Sequence, residues 1–247
     1  MKPARFANSW RLSKRPGKTD SWVKKLAAGP YVIPFFVFLG LLALGSVWPS
    51  AWTLPGAADQ LARIAILTAV LWWFSRGVLD FRLRQPLGSA GIGVLIFVLW
   101  IAPDLLFPGY RHWFPFHNRI MGEVHSSLSE ADRHDALVLL LRTVRASILV
   151  PIIEELFWRG WLMRWLIQPQ FQRVPLGAYT AFSFWTVAVL FASEHGPYWD
   201  VGLAAGILFN WWMIRTKSLG DVIAAHAFAN LLLSGYVVAT GKWEYWL

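Results

Sequence analysis

The stretch LVLLLRTVRASILVPIIEELFWRGWLMRWLI, residues 137–167, is strongly apolar and yet contains six charged side chains. A membrane-spanning helix needs about 20 apolar residues to cross a hydrocarbon core roughly 30 Å thick, so this stretch is long for one span. Pro151 lies near its middle, and an interior proline removes a backbone donor and kinks a helix. We therefore expect two elements: an interfacial or partly inserted helix over residues 136–150, and a membrane-spanning helix over residues 151–167.

The composition of the whole chain also predicts a membrane protein. Of its 247 residues, 56% are hydrophobic and 15% are charged, whereas soluble domains average about 25% charged residues. Further apolar windows occupy residues 31–48, 59–74, 88–107, 176–194, 199–215 and 219–240. We expect an all-α, polytopic integral membrane helix bundle with about seven or eight transmembrane helices. The eighth would be residues 136–150, and the charged groups would line an intramembrane polar cavity.

Positive charge is concentrated at the N-terminus. Residues 1–25 contain eight basic side chains and one acid, Asp20, which together make +7 of the net charge of +9. A basic tail before a first apolar span predicts a cytoplasmic N-terminus that contacts anionic lipid headgroups, and we expect no nucleic-acid binding. We divide the chain into a basic cytoplasmic segment, 1–28, and a transmembrane domain, 29–247. Cysteine is absent, which excludes disulfides, thiolate metal sites and cysteine nucleophiles.

Two glutamates and an arginine lie in the segment PIIEELFWRG, residues 151–160. A charged side chain at the bilayer centre costs about 2.5 to 3.5 kcal/mol on insertion scales, so such groups usually face a protein interior or a water-filled cavity. Glu155 and Arg159 are four residues apart on one helix face, and we expect them to form an ion pair that supports the site. Glu154 lies about 100° round the helix, without a local cation. Its carboxylate is therefore the one free to act.

Two later segments supply histidines. Phe191 and His195 are four residues apart, which places an aromatic ring beside an imidazole. His226 and Asn230 share one face of an otherwise apolar helix and point towards the same cavity. Each of these features alone is more often structural than catalytic. Together, however, three helices supply one unpaired carboxylate, two imidazoles and a carboxamide.

These residues also match a family signature in order and spacing. The segments EELFWR (154–159), FASEH (191–195) and HAFAN (226–230) resemble the E-E-x-x-x-R, F-x-x-x-H and H-x-x-x-N motifs of the CPBP family of intramembrane proteases. That family includes type II CAAX prenyl proteases and bacterial Abi-like proteins. The resemblance covers residues 139–236, which we take as the protease-like core. The C-terminal GKWEYW is similar to CAAX-protease-related proteins that accompany bacterial exosortase systems, which implies a bacterial inner membrane.

The resemblance implies an endopeptidase that hydrolyses a peptide bond in a membrane-associated protein or peptide. Such a reaction needs an activated water and stabilisation of the oxyanion that forms on the scissile carbonyl. Glu154 is the expected general base. By the resemblance, His195 would hold or polarise the water, while His226 and Asn230 would donate to the oxyanion.

Three alternatives remain open. Glu154, His195 and His226 could form a two-histidine, one-carboxylate site for zinc or another single divalent metal, although no H-E-x-x-H helix is present. Buried Glu and His also build proton relays, so a proton-coupled transporter is a second candidate. A non-catalytic membrane scaffold or immunity protein with the same fold is the third.

Overall fold

The described part of the chain folds into seven main helices. The computed structural model describes residues 18–47, 54, 56–118 and 126–246, and within these ranges no β-strand is present. The helices are α1 (Lys18–Val47), α2 (Gly56–Ser75), α3 (Pro86–Leu106), α4 (Ala136–Trp165), α5 (Ala181–Ser193), α6 (Trp199–Thr216) and α7 (Leu219–Thr240). The predicted all-α, polytopic membrane fold is confirmed.

Five of the described helices, α1 to α4 and α7, are long and apolar enough to cross a membrane. Helix α5 has only 13 residues, which is about 20 Å at 1.5 Å per residue and shorter than the hydrocarbon core. The expected membrane span at residues 176–194 is therefore wrong in its extent, because the helix covers only Ala181–Ser193. Thr180 caps α5 by accepting the backbone N–H of Ser183, so residues 176–180 lie outside the helix.

Residues 136–165 form one continuous helix, so the expected division at Pro151 is wrong. A π-helical turn, Arg145–Leu149, ends two residues before the proline. In such a turn each N–H bonds to the carbonyl five residues back, as the Val150 N–H does to Arg145 O. Pro151 has no N–H to donate, and the wider π turn before it lets the helix continue past the proline.

Helix α1 packs against α4 through aromatic side chains. The Phe35 and Phe157 rings stack with their centroids 3.8 Å apart. A Cβ on Gly160 would lie 3.0 Å from the Tyr31 ring, so glycine permits the close approach. Helix α1 runs unbroken through residue 28, while residues 1–17 of the basic segment lie outside the described residues. The division of the chain at residue 28 stays a prediction.

Helices α3 and α7 are tied together at the start of each. Asp221, in the first turn of α7, is fully buried. Its carboxylate accepts the backbone N–H groups of Arg84 and Gln85 and the hydroxyl of Ser89. These donors lie at the N-terminus of α3, where backbone N–H groups lack partners within the helix. Asp221 therefore fixes the N-terminal end of α3 against the N-terminal end of α7.

A buried arginine fixes the opposite end of α3. Arg111 is 5% exposed and forms ion pairs with Asp104 at 2.8 Å and Asp200 at 3.1 Å. Tyr110 donates its hydroxyl to Asp200 at 2.7 Å, and burial together with this bond raises the pKa of Tyr110 above its usual value. The loop after α3 is thereby held against the start of α6, close to His195.

We predict that Asp221→Ala lowers the free energy of unfolding in detergent by about 3 kcal/mol, because the buried Ser89 hydroxyl and the backbone N–H groups of Arg84 and Gln85 lose their acceptor. Denaturant or thermal unfolding of the purified protein measures this. Asp80→Ala is the matched control, since its carboxylate is 65% exposed and accepts the Arg82 backbone N–H. Equal losses in the two variants would contradict the role given to Asp221.

Candidate active site

A cavity of about 740 Å³ lies between the helices. The four predicted catalytic side chains all line it: Glu154, His195, His226 and Asn230. The two predicted supporting residues do not, and both are completely buried beside it: Glu155 and Arg159. The structure therefore brings the three sequence segments together, and it separates the two adjacent glutamates as the helical periodicity predicts.

Glu154 presents its carboxylate to the cavity from α4. Its Oε2 atom is buried and has no hydrogen-bond partner within the described residues. The same oxygen lies 4.0 Å from Nε2 of His226, which is too long for a hydrogen bond. One water molecule could contact both atoms. Because a buried acceptor without a partner costs free energy, the geometry favours a water or ligand at this point.

The His226 ring lies between the two glutamates. Its Nδ1 is 2.9 Å from Glu155 Oε1 and donates to that carboxylate, which turns Nε2 towards Glu154. The Phe209 ring stacks on the imidazole, with centroids 4.7 Å apart and planes 28° apart. The hydrogen bond to Glu155 and the stacked Phe209 ring together fix the orientation of the His226 imidazole. Sequence reasoning had given Glu155 a single partner and missed this one.

The expected ion pair between Glu155 and Arg159 is present, with Oε1 and Nη1 3.0 Å apart. The guanidinium also donates to Asn210 Oδ1 at 2.9 Å and to Gly206 O at 3.3 Å, and it lies 4.6 Å from the centre of the Phe191 ring. Asn210 was not predicted. Its signal in the sequence is a lone carboxamide in the apolar segment GILFNWW of α6.

His195 follows the end of α5. Its Nδ1 lies 2.8 Å from the Phe191 carbonyl oxygen, and because a carbonyl only accepts, Nδ1 carries the proton. Nε2 is then an acceptor. A Cβ on Gly202 would lie 3.1 Å from the imidazole, and the Trp100 ring centre is 5.2 Å from it, so α6 and α3 confine the ring on two sides.

Asn230 has a role that sequence reasoning did not predict. Its Nδ2 donates to the carbonyl oxygen of Ala146 at 2.9 Å. In the π turn the Val150 N–H donates to the carbonyl oxygen of Arg145. In the same register the N–H of residue 151 would donate to the carbonyl oxygen of Ala146. Pro151 has no N–H. Asn230 therefore supplies the donor that the proline lacks, and one of its two Nδ2 hydrogens remains for another acceptor.

The metal alternative fits the geometry poorly. Within the described residues no group of three His, Asp or Glu side chains is placed to hold a metal ion. The hydrogen bonds of His195 and His226 to Phe191 O and Glu155 occupy Nδ1 of each ring and leave Nε2 as the available ligand atom, so only the spacing of the three side chains disfavours a metal site. The expected set of Glu154, His195 and His226 thus shares a cavity but does not form a three-ligand site.

Residues 136–232 match the model of a protein family, described as type II CAAX prenyl endopeptidase Rce1-like. The matched range is 97 of the 247 residues, and we call it the Rce1-like domain after the model that it resembles. This match confirms the resemblance to the CPBP intramembrane proteases, and the matched range includes all three motif segments. No curated protein and no solved structure gives a significant match. The Rce1-like domain begins with the first residue of α4 and ends within α7.

We predict that Glu155→Ala lowers the free energy of unfolding by about 3 to 5 kcal/mol, because it leaves the Arg159 charge buried without its partner. Glu154→Gln should change stability by less than about 1 kcal/mol, since its carboxylate makes no comparable contact. Both are measured by unfolding in detergent. Similar losses in the two variants would contradict the division between a supporting and a free glutamate.

We also predict that Pro151 and Asn230 are energetically coupled in the Rce1-like domain. Asn230→Ala should destabilise the protein by about 1 kcal/mol through loss of the bond to Ala146. In the background of Pro151→Ala the cost should largely disappear, because residue 151 then has an N–H for a helical carbonyl. A double-mutant cycle measures this coupling. Strictly additive effects would rule out the donor replacement.

Proposed function

We propose that the protein is an intramembrane endopeptidase that hydrolyses a peptide bond in a membrane-associated protein or peptide. The observation that carries this proposal is the Glu154 carboxylate, which faces the cavity with a buried oxygen lacking a hydrogen-bond partner beside the oriented ring of His226. The Rce1-like domain supports protease activity of the CAAX type. The five long apolar helices support a location in a lipid bilayer.

In this proposal Glu154 is the general base. It accepts a proton from a water molecule while the water oxygen attacks the carbonyl carbon of the scissile peptide bond. The C–N bond then breaks, and Glu154 returns the proton to the leaving amine. The water lies between Glu154 Oε2 and the cavity imidazoles, since these are the polar groups turned to the same space.

The neighbouring side chains orient the water and stabilise the oxyanion. His195 accepts from the water through Nε2, because its Nδ1 proton is used by Phe191 O. When the His226 ring carries both protons, its Nε2–H donates to the oxyanion. The second Nδ2 hydrogen of Asn230 is the other donor, with the first held by Ala146 O. Preorganised donors of this kind act without reorganisation during the reaction.

The orientation in the membrane is proposed from the charge distribution: we place the N-terminus in the cytoplasm, because the basic residues of the chain concentrate before the first apolar window. The similarity of the C-terminal GKWEYW to proteins that accompany bacterial exosortase systems supports a bacterial inner membrane. The substrate reaches the cavity from the bilayer, since the catalytic candidates lie among apolar helices.

We predict that Glu154→Gln abolishes cleavage while leaving the fold intact, because the amide cannot accept the proton of water. Quantitative proteomics of membrane-protein termini should show new termini in cells with the wild-type protein that are absent with the variant. Glu130→Gln is the matched control, because Glu130 is 75% exposed and lies outside the cavity.

Two results would contradict the proposed function. The first is an identical set of termini in cells with wild-type protein and with E154Q. The second is proton flux into liposomes by the purified wild-type protein without proteolysis of any membrane protein, which would favour a transporter. Cleavage that a chelator stops and zinc restores would contradict the metal-independent role of Glu154.

A further inference from the structure

Helix α3 contributes a tryptophan to the cavity, next to His195. Trp100 lines the cavity, and its indole Nε1 is buried without a hydrogen-bond partner within the described residues. An indole N–H donates and never accepts. A buried donor that is left unpaired is costly. The geometry therefore favours an acceptor at this point, supplied by a molecule that enters the cavity.

The neighbours of Trp100 fix its ring. The indole lies edge-on to the His195 imidazole with ring centres 5.2 Å apart, and nearly parallel to the Tyr198 ring with centres 6.3 Å apart. Tyr198 is 2% exposed and donates its hydroxyl to Glu244 O at 3.3 Å. The free indole N–H is thus preorganised beside the imidazole that holds the water in the proposed reaction.

The position of Trp100 along the cavity follows from the packing of α3 on α7. A Cβ on Gly93 would lie 2.8 Å from Ala225 O, so α3 touches α7 beside His226. The two helices begin together at Asp221 and run in the same direction. Trp100 comes seven residues after Gly93, which is two turns further on nearly the same face and roughly 10 Å along the axis. The indole therefore lies beyond the level of His226.

A substrate peptide supplies the acceptor that this site needs. Its main-chain carbonyl oxygens lose water on entering an apolar cavity, and each then needs a donor from the protein. An extended peptide advances about 3.3 Å per residue, so about three residues span the distance between the levels of His226 and Trp100. A carbonyl close to the hydrolysed bond thus reaches Trp100 while the bond itself lies at Glu154.

The attacking water is a less suitable acceptor. In the proposed reaction its hydrogens point to Glu154 and His195, and one lone pair attacks the carbonyl carbon. Donation from Trp100 to the water oxygen would withdraw electron density from the attacking atom. Donation to a substrate carbonyl carries no such penalty, so the carbonyl is the favoured partner.

We propose that the indole N–H of Trp100 binds a main-chain carbonyl oxygen of the substrate, within about three residues of the hydrolysed bond. The inference rests on the proposed peptidase function and deepens it, because the substrate is then an extended peptide held by its backbone. Trp100 lies outside residues 136–232, so α3 adds this contact to the side chains of the Rce1-like domain.

Binding without turnover tests the proposal. Purified full-length E154Q protein in detergent is incubated with a pool of apolar octapeptides, acetylated and amidated at their ends, and retained peptides are measured by mass spectrometry after gel filtration. We expect E154Q/W100F to retain about three- to tenfold less peptide, the range for loss of one neutral hydrogen bond. E154Q/W212F is the matched control and should retain as much as E154Q, because Trp212 does not line the cavity and donates its Nε1 to Ser89 Oγ.

A second measurement follows the indole N–H itself, since phenylalanine also removes part of the ring. Tryptophan labelled with heavy nitrogen gives indole N–H signals in the NMR spectrum of E154Q, and the signal missing from E154Q/W100F belongs to Trp100. We expect the octapeptide pool to move this proton signal downfield, as an N–H does on gaining an acceptor, and to leave the Trp212 signal in place. Reduced retention without movement of the Trp100 signal would overturn the proposal, because the ring would then act by packing against His195.

Equal retention by E154Q and E154Q/W100F, or retention by neither, would also overturn the proposal. So would a Trp100 signal that moves on addition of phosphatidylcholine and not of the peptides, because the acceptor would then be a lipid ester. Failure of the peptidase function is recognised separately, since it is judged from termini in cells with the wild-type protein and with E154Q, both of which keep Trp100.

Discussion

One buried carboxylate oxygen holds the site together. Oε1 of Glu155 accepts from Nη1 of Arg159 at 3.0 Å and from Nδ1 of His226 at 2.9 Å, which joins α4 to α7. Arg159 extends the link to α6 through Asn210. Buried ion pairs add little net stability, because desolvation offsets most of their attraction. The value of this one lies in geometry, since it sets which edge of His226 faces Glu154.

Helical periodicity was enough to predict much of this arrangement. Glu155 and Arg159 are four residues apart, so their pairing follows from local geometry alone, and the same rule separates Glu154 from that pair. It also predicts that His226 and Asn230 face one cavity. The contact between Glu155 and His226 joins residues 71 positions apart. Periodicity does not encode such a contact, because it depends on how whole helices pack.

The sequence rule for proline gave the wrong element boundary. Because Pro151 has no N–H, one carbonyl oxygen lacks its backbone donor. In an α-helix this would be the carbonyl of Ser147, and in a π-helix it is the carbonyl of Ala146. The local rule treats that loss as a break. In the folded protein, Asn230 on α7 donates to Ala146 and so stabilises the π register. A distant side chain therefore decides whether the proline ends the helix.

The π turn also explains how Arg142 and Glu154, on one helix, both line the cavity. In a regular α-helix, at about 100° per residue, Arg142 and Glu154 would lie about 120° apart round the axis. The wider turn at Arg145–Leu149 takes up one extra residue, which reduces this angle to about 20°. Both side chains then line the same wall of the cavity. Pro151 and Asn230 thus align a basic group with the free glutamate, an alignment that a regular helical projection of the sequence hides.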